Sequence, residues 1–257
     1  AFIAMWFLRL HKINTIYDRC VANGDEADFT SLLLSQFGAN YHISLTELKR
    51  IPKHEPVVLV SNHPLGGLDG IMLIHFLQDV RPDFKLMANF ILDRATLLKK
   101  WFIGVNPFDD TLISKSSIGG FRKVLRHLDN GGLFAVFPAG EVASQLKKQV
   151  PIDSVWNPAT MRLIQRAKVP VVPVYFHARN SPFFYRLAKI HPLFRTARLP
   201  AELLTQRNRK IDIRIGKSIA VKDQDKYQSI NDYTDFVRRK LYMLSNIYER
   251  KSILKRV

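Results

Sequence analysis

From residue 41 onward, short β-rich runs alternate with stretches of helical periodicity, and this alternation limits the chain to few architectures. The β-rich runs are YHISL (41–45), VVLVS (57–61), KLMAN (85–89), LFAVF (133–137), VVPVYF (171–176) and IDIRIG (211–216). Helical stretches lie near 70–80, 91–101, 117–129 and 158–168. Strands that alternate with helices form layered α/β domains. We therefore predict a central, mostly parallel or mixed sheet flanked by helices.

Helices are also predicted at both ends of the chain. Two of them, 2–17 and 25–37, are separated by the turn-forming Asn23-Gly24-Asp25. We interpret residues 1–40 as a helical, membrane-proximal segment attached to one α/β domain, residues 41–257. Near the other end, residues 231–255 have the pattern of a long, basic, amphipathic helix.

The charge of the chain favours a polyanionic partner. The sequence has 39 Lys and Arg against 22 Asp and Glu, a formal net charge of +17. Nucleic acid, an anionic lipid surface and an acidic carrier protein would each suit this charge. The single cysteine, Cys20, excludes an internal disulfide framework and a metal site built on several thiolates. It fits a reducing compartment.

The apolar segments predict attachment to a membrane surface. No apolar run reaches the roughly 20 residues that span a bilayer, so we expect the protein to lie on the membrane rather than cross it. Residues 182–199 mix aromatic rings with cations, a combination that suits the lipid headgroup region. For each ring, the alternative is packing in the core. The predicted membrane contacts are Trp6, Phe7, Phe183, Phe184, Arg186, Lys189, Phe194 and Arg195.

Three loops that follow predicted strands carry unusual residues. They span residues 62–70, 138–144 and 177–181. In open α/β sheets, functional sites gather beyond the carboxyl ends of the strands. We therefore expect these three loops to meet at one site.

The first of these loops contains His63 and Asp69. The adjacent Gly66 and Gly67 let the backbone fold tightly enough to bring the two side chains together. A carboxylate on one imidazole nitrogen fixes the tautomer, and the other nitrogen can then accept a proton from a hydroxyl. From these residues alone two alternatives stay open: Asp69 caps the helix that follows, or His63 is an ordinary loop residue.

Four blocks of the sequence resemble the lysophospholipid acyltransferases related to bacterial 1-acylglycerol-3-phosphate acyltransferase. The first, Asn62-His63-x5-Asp69, is similar to the family's Asn-His-x4-Asp motif with one more residue. The others are residues 103–108, residues 137–142 and the Val-Pro-rich strand 169–174. At the position of residues 137–142, the family usually has Phe-Pro-Glu-Gly-Thr-Arg. The sequence NHPLGGLDG is closer to a hemolysin-like branch, which includes the O-acyltransferases of ornithine and glycine lipid synthesis.

This resemblance implies a glycerolipid acyltransferase fold and a direct acyl transfer. A fatty acyl group would pass from a thioester, on acyl carrier protein or coenzyme A, to the hydroxyl of a lyso-lipid. His63 would be the general base and Asp69 would orient it, without cofactor or metal. Backbone N–H groups near Gly140 or in the glycine-rich loop would bind the oxyanion. No acyl-enzyme is expected, because the sequence lacks a Gly-x-Ser-x-Gly motif.

The departures from the family pattern concern the acceptor. Val142 stands where the family has an arginine that holds the acceptor's phosphate, which favours a lyso-ornithine or lyso-glycine lipid over lysophosphatidate. Glu141 would suit an ammonium group, and Lys115 or Arg179 a carboxylate, unless these two cations are solvated surface charges. The implied substrate-binding residues are Asn62, Gly66, Gly67, Asn106, Phe108, Lys115, Phe137, Pro138, Ala139, Gly140, Glu141 and Arg179.

Three alternative functions stay open at this point. They are a lysophosphatidate acyltransferase, a lipid-binding protein without activity, and a basic nucleic-acid-binding module. The last is supported by the charge but by no recognised nucleic-acid fold signature, so we expect no nucleic acid among the partners. The expected partners are an anionic membrane surface, acyl carrier protein or acyl-coenzyme A, and a lyso-lipid. The resemblance implies a peripheral location at the cytoplasmic face of the bacterial inner membrane.

Overall fold

The computed structural model describes residues 10–24, 28–89, 96–105, 115–147 and 149–245. The helices are α1 (Leu10–Asn23), α2 (Phe29–Phe37), α3 (Gly67–Val80), α4 (Lys115–Asp129), α5 (Pro158–Ala167), α6 (Pro182–Ile190), α7 (Pro192–Glu202) and α8 (Ile230–Tyr242). Single helical turns lie at Leu45–Leu48 and Val221–Gln224, and 3-10 turns at Thr96–Trp101 and Leu203–Gln206. The strands are β1 (Asn40–Ile43), β2 (Val57–Ser61), β3 (Lys85–Asn89), β4 (Phe102–Val105), β5 (Leu133–Val136), β6 (Gln145–Lys147), β7 (Val150–Ile152), β8 (Val171–His177) and β9 (Lys210–Ile215).

Seven of these strands form one mixed sheet, in the order β1-β9-β8-β2-β5-β3-β4. Strands β8, β2, β5, β3 and β4 run parallel, whereas β9 is antiparallel to β8 and β1 is parallel to β9. The carboxyl ends of the five parallel strands therefore share one edge of the sheet. Strands β6 and β7 form a separate hairpin. This architecture confirms the predicted mostly parallel or mixed α/β fold.

Helices cover both faces of the sheet, which explains the continuous apolar runs of its central strands. All five residues of β2 and all four of β5 are buried. Val57 and Leu59 pack in a core cluster with residues of α1, α2 and α3. Val58 and Val60 pack on the opposite face with residues of α4, α5 and α8. The alternation of β9, with every second residue buried, fits a strand with one covered face.

The N-terminal helices are part of this core. Helix α1 extends to Asn23, beyond the predicted end at residue 17, and the predicted turn begins there. Phe29 and Phe37 of α2 are buried in the cluster that contains β2, and Gly38 ends the helix with a φ of 64°. Residues 1–9 lie outside the described residues, and the membrane-proximal role of residues 1–40 stays a prediction.

Several element predictions were wrong in extent. Residues 96–101 form a 3-10 turn and residues 102–105 form β4, which the sequence analysis did not predict. The helix predicted from residue 231 ends at Tyr242, because residues 243–245 form tighter turns. The part of this prediction beyond residue 245 lies outside the described residues. Strands β6 and β7 were also missed. Each is only three residues long, so it is too short for a recognisable alternation.

Within the ranges described, no helix combines the length and apolar character that crossing a bilayer requires.

Asn62 extends the pairing of β2 with β8 past the end of the strand. Its buried carboxamide donates to the carbonyl of Phe176 at 3.1 Å and accepts from the N–H of the same residue at 2.8 Å. The side chain thus replaces a residue of the ladder and fixes where the His63 loop leaves the sheet.

Replacing Asn62 with Leu should lower the free energy of unfolding by about 3 kcal/mol, because it leaves the N–H and C=O of Phe176 buried and unpaired. Urea denaturation measures this change. The matched substitution Asn231→Leu, at an exposed position of α8, should change the value by less than about 0.5 kcal/mol. Equal stability of the two variants would contradict the role of Asn62.

Candidate active site

The loops that follow β2, β5 and β8 meet at the carboxyl edge of the sheet, as the sequence predicts. The N–H of Ala143 donates to the carbonyl of His63 at 2.9 Å. The side chain of Asn180 donates to the carbonyl of Pro64 at 3.0 Å. The His63 loop is therefore held by both of the other loops.

The imidazole of His63 contacts the carboxylate of Asp69. Nδ1 lies 3.1 Å from Oδ2, and the same oxygen accepts the N–H groups of Leu65 at 2.7 Å and Gly66 at 3.2 Å. Asp69 lies in the first turn of α3 and is fully buried, whereas the side chain of His63 is 17% exposed. One carboxylate thus organises the start of the helix and contacts the imidazole; the catalytic role of the pair stays a prediction.

Gly66 is required by the shape of this loop. Its φ is 80°, a conformation that other residues rarely adopt. A Cβ atom there would lie 3.2 Å from Cγ2 of Val142 and 3.4 Å from Cδ2 of Leu199. The glycine therefore permits both the turn and the close approach of α7.

The charge state of Asp69 depends on His63. Burial raises the pKa of Asp69, and the hydrogen bonds from His63, Leu65 and Gly66 act against that rise. Oδ1 is buried without a hydrogen-bond partner in the described parts of the chain. The hydrogen bonds that Asp69 accepts offset part of the cost of its buried charge.

Phe137, from the loop after β5, fixes the plane of the imidazole. The two rings stack with centroids 4.0 Å apart and planes 23° apart. No described residue forms a hydrogen bond with Nε2 of His63. Nε2 is therefore the ring nitrogen available to a substrate.

Asp153 holds the backbone of His63 and was missed by the sequence analysis. Its buried carboxylate accepts the N–H of His63 at 3.1 Å and the indole N–H of Trp156 at 3.3 Å. Burial raises the pKa of Asp153, against the effect of these bonds. Nothing in the sequence distinguishes this aspartate, because His63 lies 90 residues away.

Helix α8 fixes Asp153 in turn. The N–H of Asp153 donates to the hydroxyl of Tyr242 at 2.9 Å, and its carbonyl accepts from Arg238 at 2.7 Å. The basic C-terminal helix thus fixes the backbone of Asp153, which in turn holds the backbone of His63.

The structure corrects the role predicted for Glu141. Its carboxylate accepts hydrogen bonds from Ser154 and, at 2.7 Å, from Arg195, so it is not an unpaired acceptor for an ammonium group. Burial alone would raise the pKa of Glu141, but these two hydrogen bonds hold it below its usual range. Arg195, predicted to contact the membrane, has a side chain that is only 14% exposed and is engaged in this pair.

Gly140 is also corrected as an oxyanion-binding donor. Its N–H donates to the carbonyl of Phe137 at 3.0 Å, and the N–H of Gly66 is taken by Asp69. By contrast, no described residue accepts the N–H groups of Gly67 and Leu68 at the start of α3.

The remaining predicted residues have mixed outcomes. Arg179 is exposed and donates to the side chain of Gln149 at 3.0 Å. Phe184 is fully buried with Val142 and Tyr185, so it is a core residue and not a membrane contact. Lys115 is the first residue of α4. Trp6, Phe7, Asn106 and Phe108 lie outside the described residues.

No candidate metal centre emerges from the part of the chain that the structure describes. The His, Cys, Asp and Glu side chains there form no group of three or more that could hold an ion. The one cysteine, Cys20, is buried in the core, where burial raises the pKa of its thiol.

Comparisons with known proteins identify the family. A family model described as acyltransferase matches residues 4–250. Two relatives named lyso-glycine lipid O-acyltransferase, from Bacteroides thetaiotaomicron and Phocaeicola vulgatus, are each 27% identical to the chain. The alignments span 209 and 210 residues, which is 79% of this chain and 75% and 73% of the relatives.

Among solved structures, the 1-acyl-sn-glycerophosphate acyltransferase PlsC from Thermotoga maritima matches with a TM-score of 0.51. The match covers 94% of this chain and 92% of PlsC at 14% identity, so it supports the fold alone. The family model spans nearly the whole sequence and agrees with the resemblance found in the motifs. The chain therefore belongs to the acyltransferase family.

Proposed function

We propose that this enzyme transfers a fatty acyl group from an acyl thioester to the hydroxyl of a lyso-aminolipid, a lyso-glycine or lyso-ornithine lipid. The thioester is carried by acyl carrier protein or coenzyme A. The observation that carries the proposal is the His63 imidazole, oriented by Asp69 and Phe137, with Nε2 available to a substrate. The names of the two relatives support the acceptor class.

The alternatives from the sequence are less well supported. Membership of an acyltransferase family favours an enzyme over a nucleic-acid-binding module. The intact contact between His63 and Asp69 argues against a lipid-binding protein without activity. Lysophosphatidate is the second acceptor to test.

In the proposed mechanism, Nε2 of His63 takes the proton of the acceptor hydroxyl as its oxygen attacks the thioester carbonyl. Asp69 keeps the proton of the neutral ring on Nδ1 and stabilises the imidazolium that forms. The tetrahedral intermediate then collapses, the carbon–sulfur bond breaks, and the imidazolium returns its proton to the departing thiolate. The products are an ester and a free thiol.

The oxyanion of this intermediate needs donors in place before the reaction. We assign the N–H group of Gly67, which is exposed at the positive end of α3 and which no described residue accepts. The loop folded by Asp69 therefore supplies both the base and an oxyanion donor.

Acyl transfer is direct in this proposal. Cys20 is a residue of α1 that is buried in the core, and its raised pKa keeps the thiolate scarce. It is therefore a poor candidate for an acyl-enzyme nucleophile.

We place the membrane contact at the α6–α7 elbow, residues 190–194. Ile190, Leu193 and Phe194 expose 68%, 70% and 54% of their surface. Arg186 and Lys189 lie exposed on the preceding helix turn. Exposed apolar side chains with cations on the preceding helix turn suit an anionic lipid surface. We extend the proposal to a peripheral location at the cytoplasmic face of the inner membrane.

His63→Ala should abolish thiol release, because the general base is lost. Circular dichroism should show that the variant folds, with a lower unfolding midpoint because Asp69 loses a hydrogen-bond donor and Phe137 loses its stacking partner. Asp69→Asn should lower kcat on the order of 10,000-fold, since the amide no longer stabilises an imidazolium. The assay follows thiol release and product mass with lyso-glycine lipid, lyso-ornithine lipid and lysophosphatidate as acceptors. His54→Ala, at an exposed position, is the control; retained turnover in His63→Ala refutes the mechanism.

Replacing both Leu193 and Phe194 with Gln should weaken binding to anionic vesicles about tenfold or more, because the burial of two apolar side chains in the lipid is lost. Co-sedimentation with vesicles that contain phosphatidylglycerol measures the binding. Leu45→Gln is the control, since Leu45 is 75% exposed and follows β1, whose carboxyl end lies at the opposite edge of the sheet. Equal binding of both variants would show that the elbow is not the membrane contact.

A further inference from the structure

The guanidinium of Arg195 uses few of its donors in the described chain. Nη2 donates to Glu141 at 2.7 Å, and no described residue accepts from Nε or Nη1. A guanidinium carries five N–H donors. The side chain is 14% exposed. Its unused nitrogens are not among the fully buried, unpaired polar atoms of the described residues, so they are accessible at the surface. A ligand could therefore reach these donors.

Arg195 lies beside the catalytic loop. It is one helical turn before Leu199 on α7, and Leu199 approaches Gly66 in the turn between His63 and Asp69. Its partner Glu141 precedes Val142, which approaches the same glycine. The pair thus borders the loop that carries the general base.

Glu141 fixes the direction of the guanidinium. Its other carboxylate oxygen accepts the hydroxyl of Ser154, and its lowered pKa keeps it ionised at neutral pH. A bond to an ionised, anchored carboxylate holds Arg195 in one orientation. A ligand that binds Nε and Nη1 would therefore find the side chain already ordered, and little side-chain entropy would be lost on binding.

Other arginines near α7 are differently engaged. Arg198 donates to the buried Glu202 at 3.0 Å and lies over the ring of Phe183. Arg179 donates to Gln149. Arg195 combines a buried stem, an anchored orientation and unused donors.

We propose that Arg195 binds the carboxylate of the acceptor's amino acid head group and makes the enzyme selective for it; this assignment rests on the proposed function. An amino acid whose amine is acylated retains a planar carboxylate, which matches the fork of a guanidinium. The neighbouring Glu141 repels a second negative charge, so the site favours a monoanionic carboxylate over a dianionic phosphate monoester.

Two acceptors that differ only in charge test this assignment: an N-(3-hydroxyacyl)glycine and the corresponding glycinamide. Wild-type enzyme should have the lower KM for the carboxylate. Arg195→Gln should raise the KM for the carboxylate about 30-fold, leave its kcat within about twofold, and leave the KM for the amide unchanged. Arg195→Lys should raise the KM for the carboxylate about tenfold, because the charge remains and the fork is lost.

Arg162→Gln is the control, since it removes the same charge from an exposed position on α5. If Arg195→Gln does not fold, Arg195→Lys alone decides the matter through the same two KM values. Unchanged KM values, or an equal rise for both acceptors, overturn the role of Arg195 and leave the proposed function standing. Wild-type enzyme that acylates neither the glycine acceptors nor a lyso-ornithine lipid overturns the proposed function and this assignment with it. If only the lyso-ornithine lipid is acylated, the same comparison is made with its carboxylate and its carboxamide.

Discussion

One carboxylate oxygen organises the site. Oδ2 of Asp69 receives the imidazole of His63 and the N–H groups of Leu65 and Gly66. The same atom therefore shapes the loop, starts α3 and sets the ring orientation. Because Asp69 is fully buried, these donors are also what makes its charge tolerable. The fold, the turn and the proposed base are thus one structural unit.

Residues far away in the sequence hold the loop of His63 and Asp69 in place. Asn62 ties the loop to β8, and Asp153 holds the N–H of His63. Asp153 is itself held by Tyr242 of α8. The α/β layout makes this possible, because the parallel strands deliver their loops to one edge and α8 packs behind them. The site depends on the packing of elements from the whole length of the chain.

The sequence predicts local features of this protein well and long-range pairings poorly. Strands β2 and β3 lie at the predicted residues, since each is a short run with a clear boundary. His63 and Asp69 are close in sequence, so a glycine-rich turn between them indicates their contact. Asp153 and Arg195 act through partners 90 and 54 residues away, which no local pattern identifies.

The same limit explains the errors in residues 182–199, where amphipathic helices present aromatic residues both inward and outward, so Phe184 is buried while Phe194 is exposed.

Nitrogen NMR of the His63 ring in its neutral form tests the central claim most directly. If Asp69 orients the ring, the proton resides on Nδ1 and Nε2 is unprotonated, ready to accept the hydroxyl proton. A neutral ring with its proton on Nε2 would contradict the account, because that nitrogen could not then act as the base.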